Sequence, residues 1–110
     1  MAYDRDLAER IRQLVAASDD VVEHGMFGGL AFLANGNMAV AASGVGGLLV
    51  RVDPDGPEPW ADDPAVTPMV MRGREMRGWL RVTGDLDGTR LEVWVSRGLA
   101  YARSLPPKSR

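Results

Sequence analysis

The sequence has no cysteine, one histidine and one lysine, and these shortages exclude several classes of protein. Without cysteine there can be no disulfide scaffold, thiol nucleophile or cysteine-bound zinc finger. A single imidazole, His24, cannot build a transition-metal site, so we expect it to have a structural role. Long apolar runs are also missing, and none approaches the roughly 20 residues that cross a bilayer. We therefore expect no membrane partner.

What is present is an ordinary globular composition, with 45% hydrophobic and 25% charged residues. A chain of 110 residues suits one hydrophobic core, so we expect residues 1–110 to form a single domain. The first residues are polar and acidic, unlike a secretory or transit peptide. These features together favour a cytoplasmic protein.

The charge is small in total but unevenly distributed along the chain. The formal net charge is −2, which excludes a uniformly basic nucleic-acid module. Residues 1–68 hold 11 acidic and 4 basic side chains, whereas residues 69–110 hold 4 acidic and 9 basic ones. A local basic face in the second part of the chain is therefore still compatible with the composition.

Two segments have the apolar periodicity of amphipathic helices. In residues 4–17 the apolar positions are spaced at i, i+4, i+7 and i+8, and Asp4 is placed to cap the first turn. In residues 89–105, Thr89 and Glu92 fit a capping box, and Pro106 ends the pattern. Gly98 falls on the apolar stripe of the second segment, where it would let the helix approach its neighbour closely.

Between these helices the period changes to two, which indicates strands. An extended segment runs from Met26 to Leu33, and Asn35-Gly36 predicts a tight hairpin turn into a second strand. A third strand covers residues 48–52, and residues 69–83 contain two more. One face of the second strand is expected to carry Met38, Val40 and Ala42. In the last strand Met76, Gly78, Leu80 and Val82 are expected on one face, with Arg77, Trp79 and Arg81 on the other.

Residues 53–68 hold five of the seven prolines and predict an irregular connection, with a short helix at residues 57–62. The predicted order is α-β-β-β-(short α)-β-β-α. A sheet with one apolar face buries it best against helices. We therefore predict a two-layer α+β fold, with one antiparallel sheet and the helices on one face.

No segment has the pattern of a catalytic or metal-binding site. None of the serines lies in a G-x-S-x-G elbow, and the acidic pairs at Asp19-Asp20 and Asp62-Asp63 lie beside helix ends rather than facing each other across a cleft. Asp85-Leu86-Asp87-Gly88 lacks the glutamate that completes a calcium loop. We therefore expect no catalytic residue, no metal and no cofactor.

The strongest surface candidate is a set of arginines around one tryptophan: Arg72, Arg74, Arg77, Trp79 and Arg81. Arginines near an aromatic ring can bind phosphates while the ring stacks on a base. The same pattern fits an exposed sheet face on which arginine stems cover the tryptophan. The pattern leaves both interpretations open. The methionines at positions 26, 38, 69, 71 and 76 are expected to fill the core rather than line a binding groove.

At Met26-Phe27-Gly28-Gly29 the sequence resembles the N-terminal domain of the TfoX/Sxy family. The resemblance continues through Asn37-Met38-Ala39-Val40, Leu48-Leu49-Val50-Arg51-Val52, Met76-Arg77-Gly78-Trp79-Leu80-Arg81-Val82 and Trp94-Val95-Ser96-Arg97-Gly98-Leu99-Ala100. It implies the two-layer α+β fold of the YgaC/TfoX-N group, which is similar to secretion chaperones, and a structural role for the motif glycines. Because the chain ends at Arg110, we expect a stand-alone N-terminal domain.

Family members with a second, C-terminal domain resemble regulators of natural competence that act on transcription with a cyclic-AMP receptor protein. The resemblance therefore implies a non-enzymatic regulatory or protein-interaction module, with a link to transcription or competence. Its protein partner is unknown, and a homodimer is compatible with the pattern. Two alternatives remain: nucleic-acid binding through the basic face around Arg72 and Arg81, which is less favoured, and small-molecule binding between sheet and helices.

Overall fold

The computed structural model describes residues 3–26, 28–55, 64–71, 73–84, 86 and 88–107, except for the side chains of Met26, Met71 and Arg77. This part of the chain forms two helices and six strands. In chain order they are α1 (Arg5–Val15), β1 (Val21–Met26), β2 (Gly29–Ala34), β3 (Asn37–Ala42), β4 (Leu48–Arg51), β5 (Val66–Met71), β6 (Arg74–Val82) and α2 (Gly88–Ser104).

The six strands form one antiparallel sheet in the order β1-β2-β3-β4-β6-β5. The predicted α+β class and the order of helices and strands are confirmed. The structure adds one strand to the prediction, because the first extended segment is preceded by β1, which pairs with β2 as a hairpin. The short helix predicted at residues 57–62 lies outside the described residues.

Helix α1 begins where the sequence predicts, because Asp4 caps it. The Asp4 carboxylate accepts hydrogen bonds from the backbone N–H groups of Asp6 at 3.0 Å and Leu7 at 3.2 Å. These bonds satisfy amide groups that have no partner inside the helix. The helix ends at Val15, two residues before the predicted end.

Helix α2 starts two residues earlier than the capping box predicts, because Thr89 as the N-cap would make Arg90 the first helical residue. Gly88 is its first residue, so Thr89 lies inside the first turn and is not the N-cap. The predicted apolar stripe is largely buried, as is Gly98. A Cβ on Gly98 would lie 2.7 Å from both the Ala39 carbonyl oxygen and the Val40 Cγ1, which confirms the predicted close approach of helix to sheet.

The core lies between the helices and one face of the sheet. Phe32, Ile11 and Leu48 are among its largest fully buried side chains. Burying a side chain of this size contributes about 1.5–3 kcal/mol. Small-molecule binding between sheet and helices was an alternative interpretation; among the described residues, the core of that space is filled by these packed side chains. We call the opposite side of the sheet, which the helices do not cover, the open face.

A bulge in β3 turns Met38 to the open face. Leu33 pairs with Met38 and Phe32 pairs with Val40, so Ala39 is an extra residue in the ladder. An extra residue reverses the side-chain alternation on either side of it. The prediction that Met38 shares a face with Val40 and Ala42 is therefore wrong.

A second irregularity changes the direction of Met76 in β6. The pairing with β5 moves from Pro68–Leu80 directly to Val70–Glu75, so β6 holds extra residues in between. Gly78 has a φ of 83° at this point, a conformation that favours glycine. Leu80 and Val82 are buried in the core, whereas Met76 is on the open face beside Trp79. The prediction that Met76 shares a face with Leu80 and Val82 is therefore wrong.

Two bidentate ion pairs hold the helices to the chain around β1. Nε and Nη2 of Arg12 donate to Glu23 at 2.6 and 3.0 Å, and the same two nitrogens of Arg103 donate to Asp20 at 2.8 and 3.0 Å. Arg103 lowers the pKa of the Asp20 carboxyl below its usual value of 3.8, through these hydrogen bonds and their charge. The first pair joins α1 to the next element of the chain, whereas the second joins segments 83 positions apart in the sequence.

Candidate functional site

The open face of the sheet contains a groove of about 390 Å³. Strands β2, β3, β4, β5 and β6 and the turn between β3 and β4 supply its walls. The lining residues are Gly29, Leu30, Ala31, Met38, Ala41, Ala42, Ser43, Gly44, Val45, Leu49, Met69, Val70, Met76, Trp79 and Arg81. Apart from Ser43 and Arg81, their side chains are apolar or, at glycine, absent, so the groove is suited to apolar groups.

The rim of the groove exposes large apolar side chains. Val45 is 84% exposed, Val70 is 56% exposed and Met76 is 37% exposed. The floor includes the small side chains of Ala31 and Ala41, which are buried. Small floor residues between large rim residues give the surface its concave shape. Contiguous exposed apolar surface of this kind is typical of interaction sites.

Trp79 is held in the groove wall by a neighbouring cation. The guanidinium carbon of Arg51 lies 5.9 Å from the centre of the Trp79 ring and 6.0 Å from the centre of the Tyr101 ring. Arg51 and Trp79 are also directly paired across β4 and β6. An arginine at this distance from an aromatic ring is attracted to its face. This contact therefore favours the observed position of the Trp79 ring.

Among the described residues that line the groove, Arg81 is the charged one. Its Nη1 donates to the Gly46 carbonyl oxygen at 2.6 Å and to the Ser43 Oγ at 3.1 Å. Both acceptors belong to the turn between β3 and β4, whose Val45 N–H also donates to the Ser43 Oγ. These bonds fix both the turn and the guanidinium group. The turn and the cation therefore form one preorganised end of the groove.

The five residues of the predicted interaction surface do not all line the groove. The structure brings together Trp79 and Arg81, which belong to its wall. Arg74 is exposed at the start of β6 and is not among the lining residues. Arg72 lies outside the described residues, and so does the side chain of Arg77 on β6.

In the Met26-Phe27-Gly28-Gly29 motif, Met26 ends β1 and Gly29 begins β2, and these two residues are paired across the hairpin. Phe27 lies outside the described residues, as does the side chain of Met26. Gly28 has a φ of 76°, and a Cβ on Gly29 would lie 2.5 Å from the Ala42 carbonyl oxygen. Turn geometry at Gly28 and close strand packing at Gly29 therefore explain why these two positions favour glycine.

Sequence reasoning missed the methionines of the groove. Met38, Met69 and Met76 line the open face, whereas the alternation pattern assigned them to the core. Two of them lie beside the irregular pairings of β3 and β6, which no short sequence pattern predicts. The number of methionines in the sequence could have indicated such a groove, because flexible, polarisable methionines are common in surfaces that accept varied apolar partners.

Other types of site are not found in the described part of the chain. Its His, Asp and Glu side chains form no group of three that could hold a metal ion. Its helices are too short or too polar to cross a membrane.

A smaller hollow of about 250 Å³ lies between the start of α1 and the end of β6, beside Asp4, Arg10 and Thr83.

Comparison with known proteins identifies the family. Searches of curated proteins and of solved structures gave no significant match. The model of the TfoX N-terminal domain matches residues 13–102, which run from the last three residues of α1 almost to the end of α2. Since the match covers most of the chain and all six strands, the protein belongs to the TfoX N-terminal domain family.

Proposed function

We propose that this domain is a non-catalytic interaction module that binds an apolar segment of a partner protein in the groove of its open face. The observation that carries the proposal is the position of the groove. It lies on the sheet face that the helices leave uncovered, with Val45, Val70 and Met76 exposed at its rim. A sheet face with this much apolar surface is suited to a further packed element.

The shape of the groove favours a protein segment over an enclosed small ligand. Small-molecule sites typically bury about 70–90% of their ligand. Here the rim side chains are between 37% and 84% exposed, so a larger partner that covers them would remove more apolar surface from water and bind more tightly. The lining residues that the structure describes include no His, Asp, Glu, Cys or Lys, which supports binding rather than acid–base chemistry. The regulatory role that the TfoX/Sxy resemblance implies would then depend on this contact.

Site-specific photo-cross-linking tests the proposal. A benzoylphenylalanine residue replaces Val45 at the groove rim or, as a matched control, Val22 on β1, which is 56% exposed and outside the groove. We expect a discrete cross-linked protein from position 45 and not from position 22. Mass spectrometry identifies that protein, and titration of the purified pair measures the dissociation constant.

Blocking the groove should remove the cross-link. Ala41→Trp fills the floor, and Met76→Lys, at a half-exposed rim position, serves if the first variant does not fold. We expect either variant to weaken binding of the purified partner at least about tenfold, because an apolar anchor buried at a contact typically contributes more than 1 kcal/mol. Equal cross-linking from position 22, or unchanged affinity in a folded groove variant, would refute the proposal.

A further inference from the structure

The groove contains a cation whose hydrogen bonds are only partly satisfied. This inference rests on the proposed function and concerns the chemistry of the partner segment. Arg81 is half-buried among apolar side chains, and in the described part of the chain no carboxylate lies within 4.0 Å of its guanidinium. Its Nη1 is committed to the Ser43 Oγ and the Gly46 carbonyl oxygen.

The Nε–Nη2 edge of Arg81 has no acceptor among the described residues. In Arg12 and Arg103 the same edge binds a carboxylate with two parallel hydrogen bonds. This fork matches the two oxygens of a carboxylate and is one of the strongest arrangements that arginine makes. Arg81 therefore presents, at the groove, the same donor pair that carboxylates bind elsewhere in this protein.

A partner that covers the groove would also remove water from this guanidinium. Desolvation of an unpaired charge is costly, so an entirely apolar segment would bind poorly at this end. We propose that the groove selects a partner segment in which a carboxylate, from Asp, Glu or the chain terminus, is placed among apolar side chains. The carboxylate binds Nε and Nη2 of Arg81, while the apolar side chains contact Met38, Met69 and Met76.

The lining of the groove argues against a nucleic-acid backbone as the occupant. Recognition of a polyphosphate chain uses several cations along a groove, and its affinity depends on their number. Among the described residues that line this groove, Arg81 alone is charged and the other side chains are mainly apolar. An acidic amphipathic protein segment can pair its carboxylate with Arg81 and pack its apolar side chains against the groove walls.

Two labelled peptides test this selectivity. The acidic probe is a fluorescein-labelled amphipathic helix with leucines and methionines on one face and a single Glu among them. The neutral probe is the same peptide with Gln at that position. By fluorescence anisotropy at low salt, we expect the wild-type protein to bind the acidic probe about five- to tenfold more tightly than the neutral one.

Matched variants assign the preference to Arg81. Arg81→Met keeps the apolar stem and should abolish the preference for Glu, whereas Arg81→Lys should retain part of it. Arg74→Met removes an exposed arginine outside the groove and should leave the preference intact. Because Arg81 also holds the turn, far-ultraviolet circular dichroism and urea unfolding establish that each variant is folded.

The possible failures are distinguishable. Equal affinity for both probes, or a Glu preference that survives Arg81→Met, would overturn the inference while leaving the groove as a contact surface. Absence of measurable binding by either probe would also overturn the inference about an acidic partner. It would not decide the cross-linking test, which examines the groove as a contact surface independently. Probe binding that Ala41→Trp does not weaken would show that the peptides bind elsewhere, and this outcome counts against the inference too.

Discussion

Gly98 and Asn37 fix how closely α2 lies on the sheet. Gly98 places the helix backbone against β3, beside the Ala39 carbonyl oxygen and the Val40 side chain. Asn37 is buried at the start of β3, and its side-chain amide donates to the carbonyl oxygens of Ala102 at 3.4 Å and Pro106 at 3.0 Å. One residue permits close contact near the middle of the helix, and the other holds its C-terminal end.

We expect Gly98→Ala to destabilise the protein by about 1–3 kcal/mol, although alanine is the better helix former. The added Cβ would lie 2.7 Å from a carbonyl oxygen that cannot move without disturbing β3. Urea unfolding measures the change. Ser96→Ala, at an exposed position of the same helix, is the matched control and should alter stability by no more than about 0.5 kcal/mol. Unchanged stability in Gly98→Ala would contradict the close approach.

At the scale of elements, two ion pairs connect the helices to β1, the strand at one edge of the sheet, and to the turn before it. Arg12 joins α1 to β1 through Glu23, and Arg103 joins the end of α2 to Asp20, 83 positions away in the sequence. Both pairs are partly exposed, so their individual contributions are modest and screened by salt. Their main effect is positional, because β1 has a strand neighbour on one side only.

The Asp20–Arg103 pair makes stability depend on acidity. The folded protein holds the pKa of Asp20 below 3.8, so the unfolded chain binds its proton first as pH falls. The stabilising contribution is fully present above about pH 4 and is lost as pH falls through the lowered folded-state pKa. Urea unfolding of wild type and Asp20→Asn should therefore differ at neutral pH and converge in acid.

Asp19→Asn is the control for that convergence. Asp19 is adjacent and exposed but has no ion pair among the described residues. We expect its substitution to leave the pH dependence of unfolding unchanged. A constant difference between wild type and Asp20→Asn across the acid range would show that the pair does not couple folding to protonation.

Element positions were largely predictable from the sequence, whereas strand faces near irregular pairings were not. Helical periodicity located α1 and α2, and Asn35-Gly36 located the β2–β3 turn, where Asn35 and Gly36 have φ values of 52° and 83°. Strict alternation failed at Met38 and Met76 because an extra residue in a ladder depends on the partner strand. The groove was missed for the same reason, although Trp79 and Arg81 were among the predicted surface residues.

At the scale of the whole molecule, the two layers leave one sheet face without a covering element. The helices pack against β2, β3 and β4 on one side, and the groove occupies the other. The acidic first part and the basic last part of the sequence meet in the fold through the ion pair of Asp20 and Arg103. At this contact, therefore, the acidic and basic parts are not on opposite sides of the molecule. In the part of the chain that the structure describes, the distinctive surface is the apolar groove with the cation of Arg81.

Polar substitutions at the groove rim should reduce the apolar character of this surface without lowering the stability of the folded protein. Val45 and Val70 are mostly exposed, so replacing both with serine should change the free energy of unfolding by less than about 0.5 kcal/mol per site. The same double variant should bind less anilinonaphthalene sulfonate, an apolar anion, and should precipitate at higher ammonium sulfate concentration, because contiguous exposed apolar surface promotes both processes.

Val93→Ser separates the groove from apolar exposure in general. Val93 is 40% exposed on α2, away from the open face, and contributes an isolated apolar side chain. Its substitution should leave dye fluorescence and the precipitation point nearly unchanged, since scattered exposed valines are normal on protein surfaces. If Val93→Ser lowered dye binding as much as the double variant, the dye would be reporting total exposed apolar area. If only the double variant lowered it, the open face would be the dominant apolar surface of the folded protein, as the proposed contact with a partner requires.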